Sequence, residues 1–339
     1  MDAGQIGCES RPRGCVRLGL IGCGRAAELL YLPALANVPQ VDLVAVADPI
    51  PSRRELIASA LPSCAAFDSA EAMVLGTDVQ AAVVATPPAT HVAAARPVLA
   101  AGLPVLIEKP LALSLTEAHQ LETLGPAAER AVMVGFNRRE WEPLLRLREV
   151  LRRVTATGPP SARLLMTSDV AAWSPIGGVE DPLDDLGSHQ IDLLRFLFGA
   201  EPVTVAASRS GDGGVRMDVR LESGLVAECF SAQSTRSRER IELRVGQRRY
   251  EVRMGSDRIE PAAGPRRDLL DLCDRMRLRL TRGRSSLRQS YEHQLRRFAE
   301  RVLNGTPHSP GLADGMAVLR TVEAARRSLA SGGKEIAIA

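Results

Sequence analysis

Apolar residues follow two rhythms along this chain. In the first stretch, short runs that are apolar at nearly every position alternate with longer, mixed segments. The runs are Val16–Ile21, Leu43–Ala47, Ala81–Ala85, Val105–Ile107 and Ala131–Val134. Strands apolar on both faces belong to a parallel sheet covered by helices on both sides. The segments between them predict helices over 25–36, 52–60, 69–75, 90–101 and 114–124, the fourth ending at Gly102. Together these predict a doubly wound parallel sheet.

Past about residue 140 the rhythm changes. A helix is predicted over 186–198, with Leu186, Ile191, Leu194 and Leu197 as its apolar stripe. Five strand-like segments then follow without helices between them, at 203–209, 214–221, 225–231, 239–245 and 248–254. Gly211–Gly214 and Ser223–Gly224 supply turns. Such a succession predicts an antiparallel or mixed sheet with one open face, and hence a homo-oligomer, either dimer or tetramer. Helices over 285–303 and 313–330 and a closing strand at Glu335–Ala339 complete the pattern. The expected division is a flexible tail over 1–14, a parallel-sheet domain over 15–137 and a second domain over 138–339. The fold class is α/β: an N-terminal doubly wound parallel sheet plus a C-terminal α/β domain with an open, mostly antiparallel sheet.

Composition narrows the function classes. With 339 residues, 45% hydrophobic and 24% charged, the chain suits two packed domains rather than a disordered state. A net charge of +3 lacks the bias of a nucleic-acid binder. Cys8, Cys15, Cys23, Cys64, Cys229 and Cys273 are scattered with no Cys-x-x-Cys pair. That argues against a disulfide scaffold or a metal site and fits a reducing cytoplasm. The start lacks a basic segment followed by a long apolar core, so no secretory signal is expected. The longest apolar candidate for a membrane span, near 79–95, is broken by Pro87, Pro88 and His91. The expected setting is cytoplasmic, with no membrane and no nucleic-acid partner. The arginine-rich stretch 266–284 reads as a solvated helix face. Lysine occurs only at Lys109 and Lys334, every other basic residue being arginine. A lysine retained against that bias is informative, because its pKa can be tuned for proton exchange.

A cofactor signal follows the first strand. Gly22-Cys23-Gly24-Arg25-Ala26-Ala27 matches G-x-G-x-x-G/A. Gly22 permits the tight turn, Gly24 lets the backbone approach a pyrophosphate, and Ala27 keeps the helix close to the sheet. Arg25 and Ala26 begin that helix, whose free N–H groups and positive dipole end attract phosphate. Cys23 serves as a small apolar filler in the turn. Asp48 ends the second strand, 24 residues after Gly24, near the spacing at which a carboxylate meets the adenosine ribose hydroxyls. A carboxylate there repels a 2′-phosphate and favours NAD, while Arg53 and Arg54 keep NADP open.

Chemistry enters at two further segments. Glu108-Lys109-Pro110 lies at the carboxyl end of a strand, where ligands bind in open α/β sheets. Asp185 and His189 are four residues apart, so one helical face holds both. Oxidising a secondary alcohol removes a hydride from carbon and a proton from oxygen, and His189 has the intrinsic pKa of a base for that proton. Lys109 would stabilise the developing alkoxide. Asp185 would orient the imidazole or bind a substrate hydroxyl. The plainer readings are a helix-capping His189 and a helix-terminal charge at Asp185. Asp192, deeper in the helix, reads as structural; His119, His293 and His308 carry no motif and read as surface or loop residues.

These segments occur in a telling order: Gly-Cys-Gly-Arg at 22–25, Leu-Pro-Ala-Leu at 32–35, Thr-Pro-Pro at 86–88 with His91, Glu-Lys-Pro at 108–110, and Asp-x-x-x-His at 185–189. The set resembles the glucose–fructose oxidoreductase/inositol dehydrogenase/MocA (Gfo/Idh/MocA) family, from residue 16 to about 200. Asp314-Gly315 and Ser331-Gly332-Gly333 extend the likeness to the end. The resemblance implies a Rossmann domain followed by an open-sheet α/β domain. It implies NAD(P)-dependent hydride transfer between nicotinamide and a ring carbon of a sugar, sugar nucleotide or cyclitol, a small-molecule polyol. It gives Lys109, Asp185 and His189 the catalytic roles. It sets Glu108, Thr86 and Pro87 beside the cofactor, with His91 just after them. Pro110 is a candidate for a cis peptide bond. Tyr31 departs from the pattern, standing where many relatives have histidine. Trp173, in the 171–184 segment expected to line the pocket, is positioned to stack on a sugar or to fill the loop. Two other functions fit the same fold: a non-catalytic dinucleotide-binding regulator, and a glycosidase or lyase that uses NAD transiently. The joint presence of Lys109, Asp185 and His189 favours the dehydrogenase.

Overall fold

The computed structural model describes residues 14–61, 63–153, 160–169, 181–253, 260–261 and 286–339. The tail up to residue 13, Trp173 and the 266–284 stretch lie outside the described residues. The first sheet consists of β1 (Val16–Ile21), β2 (Val41–Ala47), β3 (Ala65–Phe67), β4 (Ala81–Val84), β5 (Val105–Ile107) and β6 (Val132–Val134). Its order is β3-β2-β1-β4-β5-β6, with every pair parallel. The fully buried runs of β4, β5 and β6 explain their unbroken apolar sequence. Helices α2 (Pro51–Ala60), α3 (Ala70–Gly76), α4 (His91–Ala100), α5 (Leu115–Glu122) and α6 (Pro126–Ala131) fall among the crossovers. The chain winds outward from β1 to β3, then returns to lay β4 on the other side of β1. That reversal opens a crevice at the strands' carboxyl ends, the ligand site of open α/β sheets. Strand β3 went unread because Ala-Ala-Phe is too short to show a period.

The helix after the glycine turn is not uniform. It contains a π turn (Ala27–Tyr31) followed by α1 (Leu32–Leu35). Pro33 has no N–H to donate back to the preceding turn, which favours a local change of register. A second π turn (Leu183–Gly187) precedes α8 (Ser188–Phe198). Each π turn carries a residue of the site described below.

After α7 (Glu142–Arg153), the second sheet holds β7 (Ser161–Asp169), β8 (Pro202–Arg209), β9 (Val215–Leu221), β10 (Val226–Ser234), β11 (Arg238–Val245), β12 (Arg248–Arg253), β13 (Glu260–Pro261) and β14 (Ile336–Ala337). Its order is β13-β12-β11-β7-β10-β9-β8-β14. Only β7 and β10 pair in parallel; the rest are antiparallel. Strand β7 lies in the middle of this sheet yet was absent from the sequence reading, because adjacent Leu164 and Leu165 blur its alternation. Its inward Ala162, Leu164 and Met166 share a core with α8 and the last helix, α10 (Leu312–Ala330). The preceding helix, α9 (Ser286–Asn304), turns back onto the first sheet. Its Tyr291, Leu295 and Phe298 join a cluster with Leu18, Leu20, Ala27 and Tyr31. Each such burial contributes about 1.5–3 kcal/mol, which ties the C-terminal helix to the glycine-turn side of the first domain.

Candidate functional site

The glycine turn sits at the crevice. Gly22 has φ +94°, and a Cβ there would meet the Ala85 carbonyl and the Thr86 nitrogen at 2.7 and 2.8 Å. Glycine is required because strand and loop backbones touch. At Gly24 a Cβ would meet nothing within 4 Å, so the turn leaves open space where a pyrophosphate would lie. Ala27 is fully buried behind it, Ala26 is half-buried, and Arg25 is half-exposed beside Glu28 at 3.3 Å. The Asp48 carboxylate is 5% exposed and accepts the Cys23 N–H at 2.8 Å and the Ile50 N–H at 2.9 Å. Asp48 therefore braces the turn as well as standing at the ribose position. Arg54 Nη1 donates to the Asp48 and Pro49 carbonyls at 2.9 and 3.2 Å. Burial first, then Asp48, pushes the Cys23 thiol up to about 12, consistent with an inert filler. The turn, the open space at Gly24 and the buried, unpartnered Thr86 Oγ1 fit a dinucleotide.

Thr86 and Pro87 form the loop after β4, with Pro87 exposed. His91, expected beside the cofactor, is corrected to a brace. It is 1% exposed, and its Nδ1 and Nε2 lie 2.8 and 2.9 Å from the Pro110 and Thr86 carbonyls. The ring thus joins the two loops that border the crevice, and the Lys109–Pro110 bond is cis. Burial lowers the His91 pKa to about 4 against the pull of the two carbonyls, and Lys109 adds to the lowering. Below pH 6.5 the unfolded chain takes up a proton that the folded ring refuses until about 4, so stability falls across that window. We expect wild type to lose about 2–3 kcal/mol more than His91→Gln between pH 7 and 4.5. Urea midpoints at the two pH values read this; an equal loss in both proteins would contradict a neutral, buried ring.

Glu108 is also sealed in. Tyr31 Oη donates to its Oε1 at 2.7 Å, and the Lys109 backbone N–H donates to its Oε2 at 3.0 Å. Burial raises the Glu108 pKa despite these bonds. Tyr31, on the first π turn, packs edge-on against Tyr291 at 5.7 Å. The departure from histidine thus supplies a hydroxyl that holds Glu108 rather than one that reaches the crevice.

Lys109 points the other way. Its Nζ forms an ion pair with Asp185 Oδ1 and donates to the Asp185 carbonyl at 3.2 Å, their side chains being 14% and 18% exposed. The second π turn carries Asp185. Burial would raise its carboxyl, but Lys109, and after it Arg138, outweigh burial and hold it below the usual range. Asp185 is therefore paired with Lys109, not with His189, four residues on. His189 Nε2 lies 2.8 Å from Arg138 Nη1. Arg138 Nη2 donates to Glu239 Oε1 at 2.5 Å. Burial, then Arg138 and Lys109, push the His189 pKa well below the ordinary value.

Arg138 and Glu239 were missed. Arg138 lies on the short 3-10 turn after β6 (Asn137–Glu140), another carboxyl strand end, and that position was the available signal. Glu239 gave none, since a single acid on a strand reads as solvent-facing. Asp192 is structural as expected, accepting from Arg139 Nε and Nη2 at 3.0 and 2.6 Å. His308, read as a surface or loop residue, is 8% exposed and packs against Phe298 at 5.0 Å.

Comparison with known proteins agrees with this geometry. Residues 16–136 match the family model described as oxidoreductase family, NAD-binding Rossmann fold. Residues 171–338 match the same family's C-terminal alpha/beta domain. An inositol 2-dehydrogenase of Rhizobium meliloti is 27% identical, covering 96% of this chain and 99% of its own. A UDP-N-acetylglucosamine 3-dehydrogenase of Acidithiobacillus ferrooxidans is 32% identical over 57% of each chain. The structure of scyllo-inositol dehydrogenase from Lactobacillus casei, with NAD(H) and scyllo-inositol bound, superposes with a TM-score of 0.77 at 15% identity, covering 96% and 99%. That last likeness is one of fold.

Proposed function

The chain belongs to the Gfo/Idh/MocA oxidoreductase family, and from that premise we propose that it moves a hydride between NAD and a ring carbon of a cyclitol or sugar. The observation that carries the reading is the buried Lys109–Asp185 pair at the end of β5, beside a glycine turn suited to a dinucleotide. The relative that matches along 96% of the chain is an inositol dehydrogenase, which supports a cyclitol; sugar nucleotides are the competing class. Bound across the turn, NAD supplies the hydride acceptor. In the ketone-reducing direction the Lys109 ammonium gives its proton to the substrate oxygen as the carbon gains hydride. In the oxidising direction the Lys109 amine takes the hydroxyl proton as the carbon loses hydride. Asp185, kept ionised, holds Nζ in place.

The test is absorbance of reduced nicotinamide across a panel of cyclitols, sugars and sugar nucleotides. Activity confined to glycosidic cleavage without net NADH would move the assignment to an NAD-assisted glycosidase. The cofactor choice has its own test. Asp48→Ala should weaken NAD about tenfold or more, and NADP less, because a charged hydrogen bond to ribose is lost while the 2′-phosphate loses a repulsive neighbour. Loosening of the Cys23 N–H affects both cofactors alike, so the difference is the readout; equal losses by calorimetry would remove the ribose role.

A further inference from the structure

The His189–Arg138 contact constrains the imidazole. A guanidinium has five N–H donors and no acceptor, so the ring nitrogen facing it must present a lone pair. A proton on Nε2 would set N–H against N–H at 2.8 Å. The ring's proton therefore belongs on Nδ1, which is buried and has no protein partner among the described residues. Arg138 is not loose. Besides its bond to Glu239, its Nη1 donates to Asn137 Oδ1 at 2.9 Å, and Asn137 Nδ2 donates to Ser290 Oγ at 2.9 Å. Glu239, with a side chain 2% exposed, supplies the charge that lets a guanidinium stay buried. The anchors come from β11, the 3-10 turn and α9.

We propose that Arg138, clamped by Glu239 and Asn137, is a positioning residue that sets His189 as the Nδ1–H tautomer, a hydrogen-bond donor to the substrate rather than the base that takes its proton. The proposal rests on the dehydrogenase reading for its substrate, but the tautomer does not. It reverses the role that the intrinsic imidazole pKa suggests. The lone pair a base would use is occupied, and proton exchange falls to Lys109. The charged groups around the ring agree. Arg138 and Lys109 face it, with Asp185 on the second π turn, Glu239 on β11 and the Tyr291 hydroxyl on α9 behind them. A ligand oxygen on Nδ1–H would satisfy a donor whose isolation costs about 1–3 kcal/mol.

Nitrogen-15 NMR of the full chain, labelled at histidine and free of NAD, tests this. The His189 signal is assigned by its absence in His189→Gln. Wild type should carry the proton on Nδ1 and show no titration between about pH 5 and 8. Arg138→Lys keeps a donor and should keep that tautomer. Arg138→Met should bring the His189 midpoint into the window and add the same ionisation to the kcat/KM profile. A wild-type proton on Nε2, a wild-type titration in the window, or an unchanged ring in Arg138→Met overturns the proposal. Should the methionine variant not fold, the wild-type tautomer decides: Nδ1 upholds the proposal and Nε2 ends it. Because the spectra need no turnover, an inactive substrate panel would sink the dehydrogenase reading without touching this result.

Discussion

Lys109→Ala should lower turnover by about a thousandfold or more while leaving NAD affinity within about threefold of wild type. The ammonium is the one group at the crevice placed to exchange a proton with the reacting oxygen and to stabilise its negative charge. The cofactor rests on the glycine turn and Asp48, which Lys109 does not touch. The variant also strands a carboxylate. With Lys109 gone, Asp185 keeps only a more distant positive neighbour, and breaking a buried pair from one side costs about 3–5 kcal/mol. Lys109→Ala/Asp185→Asn should recover most of that stability and none of the turnover. Stopped-flow turnover, NAD calorimetry and thermal melts of the three proteins separate the effects. Turnover that returns with stability would mean that the lysine serves only to fold the site.

The second large effect divides two glycines that look alike in sequence. Gly24→Ala adds a methyl where the chain has open space, so the melting temperature should hold while NAD affinity falls about a hundredfold, close to 3 kcal/mol. Gly22→Ala drives a Cβ to 2.7 Å from the Ala85 carbonyl at φ +94°, so both stability and binding should fall. The pair discriminates between a turn that is merely tight and one shaped for a pyrophosphate. Unchanged NAD binding by Gly24→Ala would take the pyrophosphate out of that space.

Local signals carried far into this protein. The unbroken apolar runs at 81–85 and 105–107 gave buried parallel strands because a strand covered on both faces leaves no polar position to alternate. The glycine turn and the Glu-Lys-Pro segment were readable for a related reason, since the backbone or the chemistry there tolerates few residue types. Where the signal was short or blurred, as in β3 and β7, the strands went unread. The return of α9 onto the first sheet was likewise invisible, because its apolar stripe does not say which surface it covers.

What the sequence determined by itself, then, was the class of fold, the dinucleotide turn and the identity of the reactive side chains, all set by neighbours a few positions away. Only the tertiary structure decided their partnerships. Lys109 meets Asp185 from 76 positions off, and Arg138 reaches His189 across 51 and Glu239 across 101. Spacing four residues apart made Asp185 and His189 look like a pair, but electrostatics chose otherwise: a buried carboxylate goes to the cation the fold brings to it, and a buried imidazole next to a guanidinium gives up its lone pair.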